Sequence, residues 1–129
     1  MDNIKIVTLP WPHKDIRSNS RAHKFAKARK IKDARKAAWA LSMEAPKVGK
    51  HPQAIIFVEY YPTSYREDIH NVPTGLKAYI DGIADAMGCD DKKFKVYYPE
   101  VWAGKANPGK VVFRIVPTII NVPVIGEIS

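Results

Sequence analysis

The sequence predicts a small α/β domain of the α+β kind, in which two helices pack on one mixed sheet in the order βαβαββ. A chain of 129 residues, 46% of them hydrophobic, has the size of one domain with one core. Runs rich in β-branched and aromatic residues alternate with two stretches of helix-forming residues. No repeat or linker divides the chain, so we expect residues 1–129 to form a single domain.

The first two predicted elements are a strand and a long helix. NIKIVTL (residues 3–9) is rich in β-branched residues, and the PWP that follows ends the strand in a rigid turn. Residues 20–44 contain no proline or glycine, which predicts a helix with Ser18 or Ser20 as its N-cap. Its apolar stripe is mostly alanine, so we expect the helix to lie close against the sheet. The stripe comprises Ile31, Ala34, Ala38 and Leu41.

A buried strand, a second helix and two further strands complete the prediction. AIIFVEYY (residues 54–61) is almost continuously apolar, which indicates a central strand buried on both faces. Residues 72–87 have the spacing of an amphipathic helix, and Gly88 is placed to end it in a left-handed cap. KFKVYYPEVW and KVVFRIV flank a turn-rich segment, which predicts an antiparallel hairpin. The proline-interrupted tail is interpreted as an edge strand or an arm packed on a partner.

Charge and cysteine content narrow the function classes. The formal net charge of +8 and the isoelectric point near 9.6 favour polyanionic partners, most commonly nucleic acid. A single cysteine, Cys89, excludes an intramolecular disulfide and a cysteine-based zinc site, which is typical of a reducing compartment. No apolar run approaches the ~18 residues that a membrane span requires. We therefore expect a cytoplasmic protein without a membrane partner.

The acids of this basic chain gather in REDIHNVPTGLKAYIDGIADAMGCDD (residues 66–91), with Asp68 just before the second helix and Asp91 just after it. Carboxylates near cations suit metal-dependent cleavage of phosphodiesters, because Mg²⁺ prefers oxygen ligands and activates water. A helix of 16 residues is ~24 Å long. Asp68 and Asp91 can share an ion only if the following loop brings Asp91 back over the sheet. The alternative is solvated helix ends and surface pairs such as Lys77 with Asp81.

The same stretch resembles the signature of the RusA-like Holliday-junction resolvases, from its Arg and first Asp to its closing Asp-Asp. LPWP, SNSRAH and the basic helix resemble that family's opening strand, loop and first helix, so the similarity extends over nearly the whole chain. The resemblance implies a RusA-like fold and a Mg²⁺-dependent endonuclease that resolves four-way DNA junctions in recombination and repair. It also implies a homodimer, because paired nicks need two sites related by a two-fold axis. Such genes are often carried by phages.

The resemblance carries site roles to individual positions. Asp68 and Asp91 take the places of the first and last metal-binding aspartates, with Asp90 as an adjacent candidate, and Lys77 matches a lysine that assists at the scissile phosphate. His70 stands where the compact members have a second aspartate, and imidazole suits Mn²⁺ better than Mg²⁺. The site then either works with fewer carboxylates or belongs to a catalytically weakened protein that binds branched DNA.

Several further residues are expected to support the site or bind DNA. Asn71 is expected to cap the second helix and to hold the metal-binding loop in shape. Asp81 is either a surface ion-pair partner or a support for the metal ligands. The tryptophans are expected to pack in the core or an interface rather than to stack on bases. The residues expected to contact DNA phosphates are Asn19, Arg21, Arg29, Lys32 and Lys36.

A third hypothesis comes from another class of protein. The chain could be a small basic RNA-binding or ribosome-associated α/β protein, in which the acids of residues 66–91 are only surface residues. Preference for RNA over a DNA junction would distinguish this hypothesis from the other two.

Overall fold

The computed structural model describes residues 4–13, 16, 24–44, 53–88 and 91–117, and of Asp91 it describes the backbone alone. Within these residues two helices and four strands follow in the order βαβαββ, which confirms the predicted fold class. Short 3₁₀ turns, Ile69–Asn71 and Asp91–Lys93, precede the second helix and the third strand. The strands are β1 (Lys5–Pro10), β2 (Ala54–Tyr61), β3 (Phe94–Tyr97) and β4 (Lys110–Pro117), and the helices are α1 (Lys24–Glu44) and α2 (Val72–Met87).

The four strands form one mixed sheet in the order β1-β4-β2-β3. β4 is antiparallel to both β1 and β2, and β3 is parallel to β2. The predicted hairpin between the last two strands is therefore wrong, because β2 lies between β3 and β4. Residues 98–109 carry the chain across the end of β2, where Ala103 N–H donates to Tyr60 O and Ala106 N–H donates to Pro62 O, both at 3.0 Å.

Both helices cover the same face of the sheet. The core joins Ala38 of α1 and Leu76 and Ile83 of α2 with alternate residues of the strands. On the other face, which we call the open face, Phe57 of β2 is 44% exposed and Tyr97 of β3 is 48% exposed. The prediction that β2 is buried on both faces is therefore wrong, because both helices that could cover it lie on one side.

Helix α2 has the predicted bounds and the predicted C-cap. Gly88 adopts φ 71° and ψ 29°, and its N–H donates to the carbonyls of Ala84 and Asp85. Asn71 occupies the N-cap position, but its side chain makes no capping hydrogen bond. The capping role predicted for Asn71 is wrong because its backbone is right-handed helical and continues the preceding 3₁₀ turn, whereas a capping side chain needs an extended backbone.

Helix α1 packs chiefly on α2, and its main contact with the sheet is with β1, so the predicted contact between its alanine stripe and the sheet is a minor one. Ala38 is fully buried, whereas Ile31 and Leu41 of the same predicted stripe are exposed. Gly82 permits this approach, because a Cβ at that position would clash with the Arg35 carbonyl and lie 2.7 Å from Ala38 Cβ. The proposed caps of α1 lie outside the described residues. Neither described helix is long and apolar enough to cross a membrane.

Candidate functional site

The C-terminal ends of β1 and β2 and the start of β4 meet at one edge of the sheet, which we call the carboxyl edge. The register places Pro10 and Tyr61 on either side of Lys110 at this edge. Residues 62–68 leave β2 here and lead to α2. The indole N–H of Trp11 donates to Glu67 Oε2 at 3.2 Å, which ties this segment to the end of β1.

Four aromatic rings pack beside this segment. Trp11 contacts Tyr60 and Trp102, each with ring centroids 6.1 Å apart, and Tyr60 lies 5.9 Å from Trp102. Tyr65 stacks on Trp102 at 6.2 Å with an interplanar angle of 19°. Burial raises the pKa of the Tyr60 hydroxyl, which has no hydrogen-bond partner among the described residues. The rings support the segment that leads to Asp68 with contacts from three parts of the chain.

Asp68 and His70 are exposed and begin the turn that enters α2. Asp68 has an extended backbone, and its Oδ1 accepts the His70 N–H at 3.0 Å. The Asn71 N–H donates to Asp68 O at 3.0 Å. The side chain and the backbone carbonyl of Asp68 therefore both hold the turn in place. A carboxylate has acceptor capacity beyond one such bond, so Asp68 can also bind a cation.

The donors needed for a complete metal site are not gathered within the described residues, which contain no group of three or more His, Cys, Asp and Glu side chains able to hold an ion. Asp68 and His70 are close in sequence and share one turn, and a carboxylate and an imidazole are donor types that Mg²⁺ or Mn²⁺ accepts. The remaining predicted ligand, Asp90, lies outside the described residues, as does the side chain of Asp91.

The backbone places Asp91 at the opposite end of the sheet from Asp68. Asp91 begins the turn into β3, whose first residue, Phe94, pairs with Ala54, the first residue of β2. Asp68 follows the last residue of β2 and precedes α2, a helix of 16 residues that is ~24 Å long. The structure does not bring Asp68 and Asp91 of one chain together.

Lys77 and Asp81 lie on the stripe of α2 that faces solvent. Lys77 Nζ is 2.8 Å from Asp81 Oδ1, an i,i+4 ion pair. Burial raises the pKa of Tyr98, and the positive charge of Lys77 opposes that rise. Asp81 therefore makes the surface pair that was one of its two predicted roles.

Helix α1 presents Arg29, Lys32 and Lys36, all exposed, at intervals of three and four residues on one side. Arg35 points to α2 instead, where its Nε and Nη2 donate to Asp85 at 2.7 and 2.9 Å and hold the pKa of that carboxyl below its ordinary value. This contact places the middle of α1 beside the C-terminal half of α2, away from Asp68. The other predicted DNA contacts, Asn19 and Arg21, lie outside the described residues.

The structure also adds residues that sequence reasoning missed. Lys105 Nζ lies 4.7 Å from the centre of the Tyr65 ring, and Lys110 Nζ lies 4.9 Å from that of Tyr61. Both lysines come from the turn-rich segment and the start of β4, far from residues 66–91 in sequence, so no local spacing indicated the contacts. The packing predicted for the tryptophans is confirmed for Trp11 and Trp102, which lie against the core.

Comparison with known proteins finds a relative but no functional description. The chain is 36% identical to a protein of Xylella fastidiosa (strain Temecula1 / ATCC 700964), described as an uncharacterized protein. The 117-residue alignment covers 84% of this chain and 74% of that protein. The chain belongs to the family of that protein. No family model matches it.

Proposed function

We propose that this protein is a metal-dependent, structure-specific endodeoxyribonuclease that resolves four-way DNA junctions by paired hydrolysis of phosphodiester bonds. The observation that carries the proposal is the resemblance of residues 66–91 to the RusA-like resolvases. The position of Asp68 supports it, because this exposed carboxylate lies in a fixed turn at the carboxyl edge. Lys105 and Lys110, two cations that could contact DNA phosphates, lie at the same edge.

In this proposal Asp68 holds Mg²⁺ or Mn²⁺, and His70 is a second donor. The bound ion supplies an activated water and positive charge at the phosphate. Lys77 adds charge stabilisation at the phosphate, for which it would leave Asp81. That exchange costs little, because an exposed ion pair contributes at most about 1 kcal/mol.

The separation of Asp68 from Asp91 gives the proposed homodimer a specific role. One chain cannot supply both carboxylates to one ion across ~24 Å of helix. A two-fold axis that reverses the strand direction would bring the Asp91 end of one protomer to the Asp68 end of its partner. Such a dimer holds two equivalent sites, as paired nicks require.

The cations of α1 support the DNA part of the proposal. Arg29, Lys32 and Lys36 present positive charge along one exposed side of a helix. Contacts of this kind with phosphates provide affinity and register without reading base sequence, which suits an enzyme selective for DNA shape. We place the activity in recombination and repair of DNA in the cytoplasm of a bacterial host or a phage-infected cell.

A catalytically weakened protein that binds branched DNA is the second candidate. The observation that favours it is His70 at the position of a second aspartate. This candidate shares the DNA contacts of the first and differs only in turnover.

The test is incubation of purified protein with a synthetic four-way junction and Mg²⁺ or Mn²⁺. We expect symmetric paired nicks in the junction and none in a linear duplex of the same sequence. Asp68→Asn should abolish the nicks. Asp85→Asn is the matched control, since Asp85 lies in the same acidic stretch but pairs with Arg35, and it should cut like the parent.

Equal cutting of duplex and junction, or undiminished cutting by Asp68→Asn, would contradict the proposal. Tight junction binding in EDTA without cleavage by either metal supports the second candidate instead. Preference for an RNA competitor over the DNA junction would contradict both.

A further inference from the structure

Tyr65 presents an aromatic ring to solvent at the carboxyl edge, three residues before Asp68. Tyr65 is 49% exposed, although its ring stacks on Trp102 with the ring centroids 6.2 Å apart. Lys105 Nζ lies 4.7 Å from the ring centre. An exposed aromatic ring beside a lysine is the combination with which proteins hold single-stranded nucleic acid.

The ring is held in place by its surroundings. Trp102, on which it stacks, packs in turn against Trp11 and Tyr60. The segment that carries Trp102 and Lys105 is fixed to the end of β2 by the backbone hydrogen bonds of Ala103 and Ala106. Gly109 lies close enough to Trp11 that an added Cβ would be 3.2 Å from Trp11 Cβ. Because these groups are already packed, a ligand would not have to order them on binding.

We propose that Tyr65, backed by Trp102, is a stacking site for one unpaired nucleobase of branched DNA, and that Lys105 moves from the ring to the adjacent phosphate. The proposal rests on the proposed function, whose substrate it specifies as a junction with an unstacked base next to the cut. Stacking on a base contributes roughly 5- to 150-fold in affinity. A cation over an exposed ring contributes only about 2- to 5-fold, so the base would displace Lys105.

Tyr97 provides a matched control within the same chain. It is 48% exposed, stacks on Phe57 at 5.3 Å and has Lys95 Nζ at 5.4 Å from its ring centre. The two tyrosines differ in position, because Tyr97 lies on the open face whereas Tyr65 lies near Asp68 in the sequence. A loss of affinity confined to the Tyr65 variant would therefore reflect the place of the ring and not its chemistry.

The experiment measures binding without metal, so that cleavage does not enter. Full-length protein and the variants Tyr65→Ala, Tyr65→Phe and Tyr97→Ala are titrated in EDTA against a four-way junction and a linear duplex of equal length. A 2-aminopurine at the branch reports stacking through quenching of its fluorescence. We expect Tyr65→Ala to lose the quenching and to bind the junction about ten-fold more weakly, with duplex affinity unchanged. Tyr65→Phe and Tyr97→Ala should behave like the parent.

Three results would overturn the proposal: parent-like quenching by Tyr65→Ala, an equal loss of affinity for duplex and junction, or the same loss in Tyr97→Ala. Thermal unfolding of Tyr65→Ala, compared with Tyr65→Phe, shows whether Trp102 stays packed. Cleavage with Mg²⁺ or Mn²⁺ is measured separately. If the parent binds and stacks but does not cut, the nuclease proposal fails and the stacking site stands. If it cuts and Tyr65→Ala stacks like the parent, only the stacking site fails.

Discussion

The two helices of this protein differ in what they bury and in what they present. α2 is buried on every side except a narrow stripe with Lys77, Asp81 and Asp85, and it joins the two acid positions of the resemblance, one at each end. α1 buries only Ala38 and Ser42 and presents most of its length to solvent. The comparison separates two tasks, because α2 fixes positions whereas α1 supplies charge.

The difference also indicates which substitutions affect folding and which affect function. Changes on α2 or at the contact between the helices should alter stability or site geometry. Changes on the exposed side of α1 should leave the fold intact and alter only interactions with a polyanion.

The largest effect is expected at the two ends of α2. Asp68→Asn and Asp91→Asn should each reduce junction cleavage at least about 100-fold. Each substitution removes a negatively charged ligand of the proposed metal ion, and no other group takes its place. If the two carboxylates serve one site from different protomers, a mixture of the two inactive variants forms mixed dimers that contain one intact site. We expect such mixtures to recover nicking of one strand, measured on a junction with one labelled strand at a time.

The matched control for this recovery is a mixture of Asp68→Asn with His70→Ala, which alter the same end of α2. Each site of those mixed dimers carries one of the two substitutions. The mixture should therefore cut no better than the more active of the two variants does alone. Recovery in neither mixture, with both variants folded and dimeric, would contradict the shared site.

The contact between the helices should give the next largest effect. Gly82→Ala adds a Cβ that would lie 2.7 Å from Ala38 Cβ and 2.9 Å from the backbone nitrogen of Trp39, so the helix backbones must move apart. We expect a loss of about 1–3 kcal/mol in the free energy of unfolding from overpacking, in spite of the better helix propensity of alanine. Denaturant unfolding measures it.

Gly104→Ala is the control for that prediction. Its added Cβ would lie 3.5 Å from the Tyr61 ring, an ordinary contact, so its stability should stay close to that of the parent. A Gly82→Ala protein as stable as the parent would mean that the helices do not pack this closely.

Local sequence determines some features of this fold and leaves others open. The order of elements, the bounds of α2 and its Gly88 cap follow from local features, namely periodicity, breakers and the need for a positive φ. The pairing of β3 with β2, the burial of one face only and the packing of α1 on α2 depend on how distant segments meet. The sequence of β2 alone does not tell which neighbour it has or on which side the helices lie.

The candidate site divides in the same way. Asp68 could be placed before α2 from the sequence, and the structure locates it there. The Tyr65, Trp102 and Lys105 group could not be anticipated, because its members are brought together by backbone hydrogen bonds between residues about forty positions apart. The separation of Asp68 from Asp91 follows from helix length once the turn that begins at Asp91 is known to lead into β3, whose first residue pairs with the first residue of β2.

The surface of α1 should give a smaller effect, seen in binding alone. Lys32→Ala combined with Lys36→Ala removes two cations that we expect to contact phosphates. The affinity for DNA should fall about five- to ten-fold near 0.05 M salt, and the slope of log K against log salt should decrease by about 2. Fluorescence anisotropy with junction and duplex should give the same loss, since phosphate contacts do not read structure. Lys95→Ala, on the open face, is the control, and we expect its unfolding and its salt slope to match those of the parent. A protein with both Lys32→Ala and Lys36→Ala that kept the parent's salt slope would contradict phosphate binding by α1.

The smallest effect is expected for the ion pair between the helices, and its pH dependence gives it a recognisable sign. Arg35 donates two hydrogen bonds to Asp85 and lowers the carboxyl pKa below 3.8 in the folded chain. A lowered folded-state pKa means that the pair stabilises the fold above pH 3.8 and loses this contribution as the pH falls through the folded value.

The side chains of Arg35 and Asp85 are 51% and 40% exposed, so screening limits the contribution of the pair to less than about 1 kcal/mol. Asp85→Asn should therefore be slightly less stable than the parent at neutral pH, and the difference should shrink in acid and in high salt. A double-mutant cycle with Arg35→Gln isolates the pair, and a difference that grew as the pH fell would contradict the assignment.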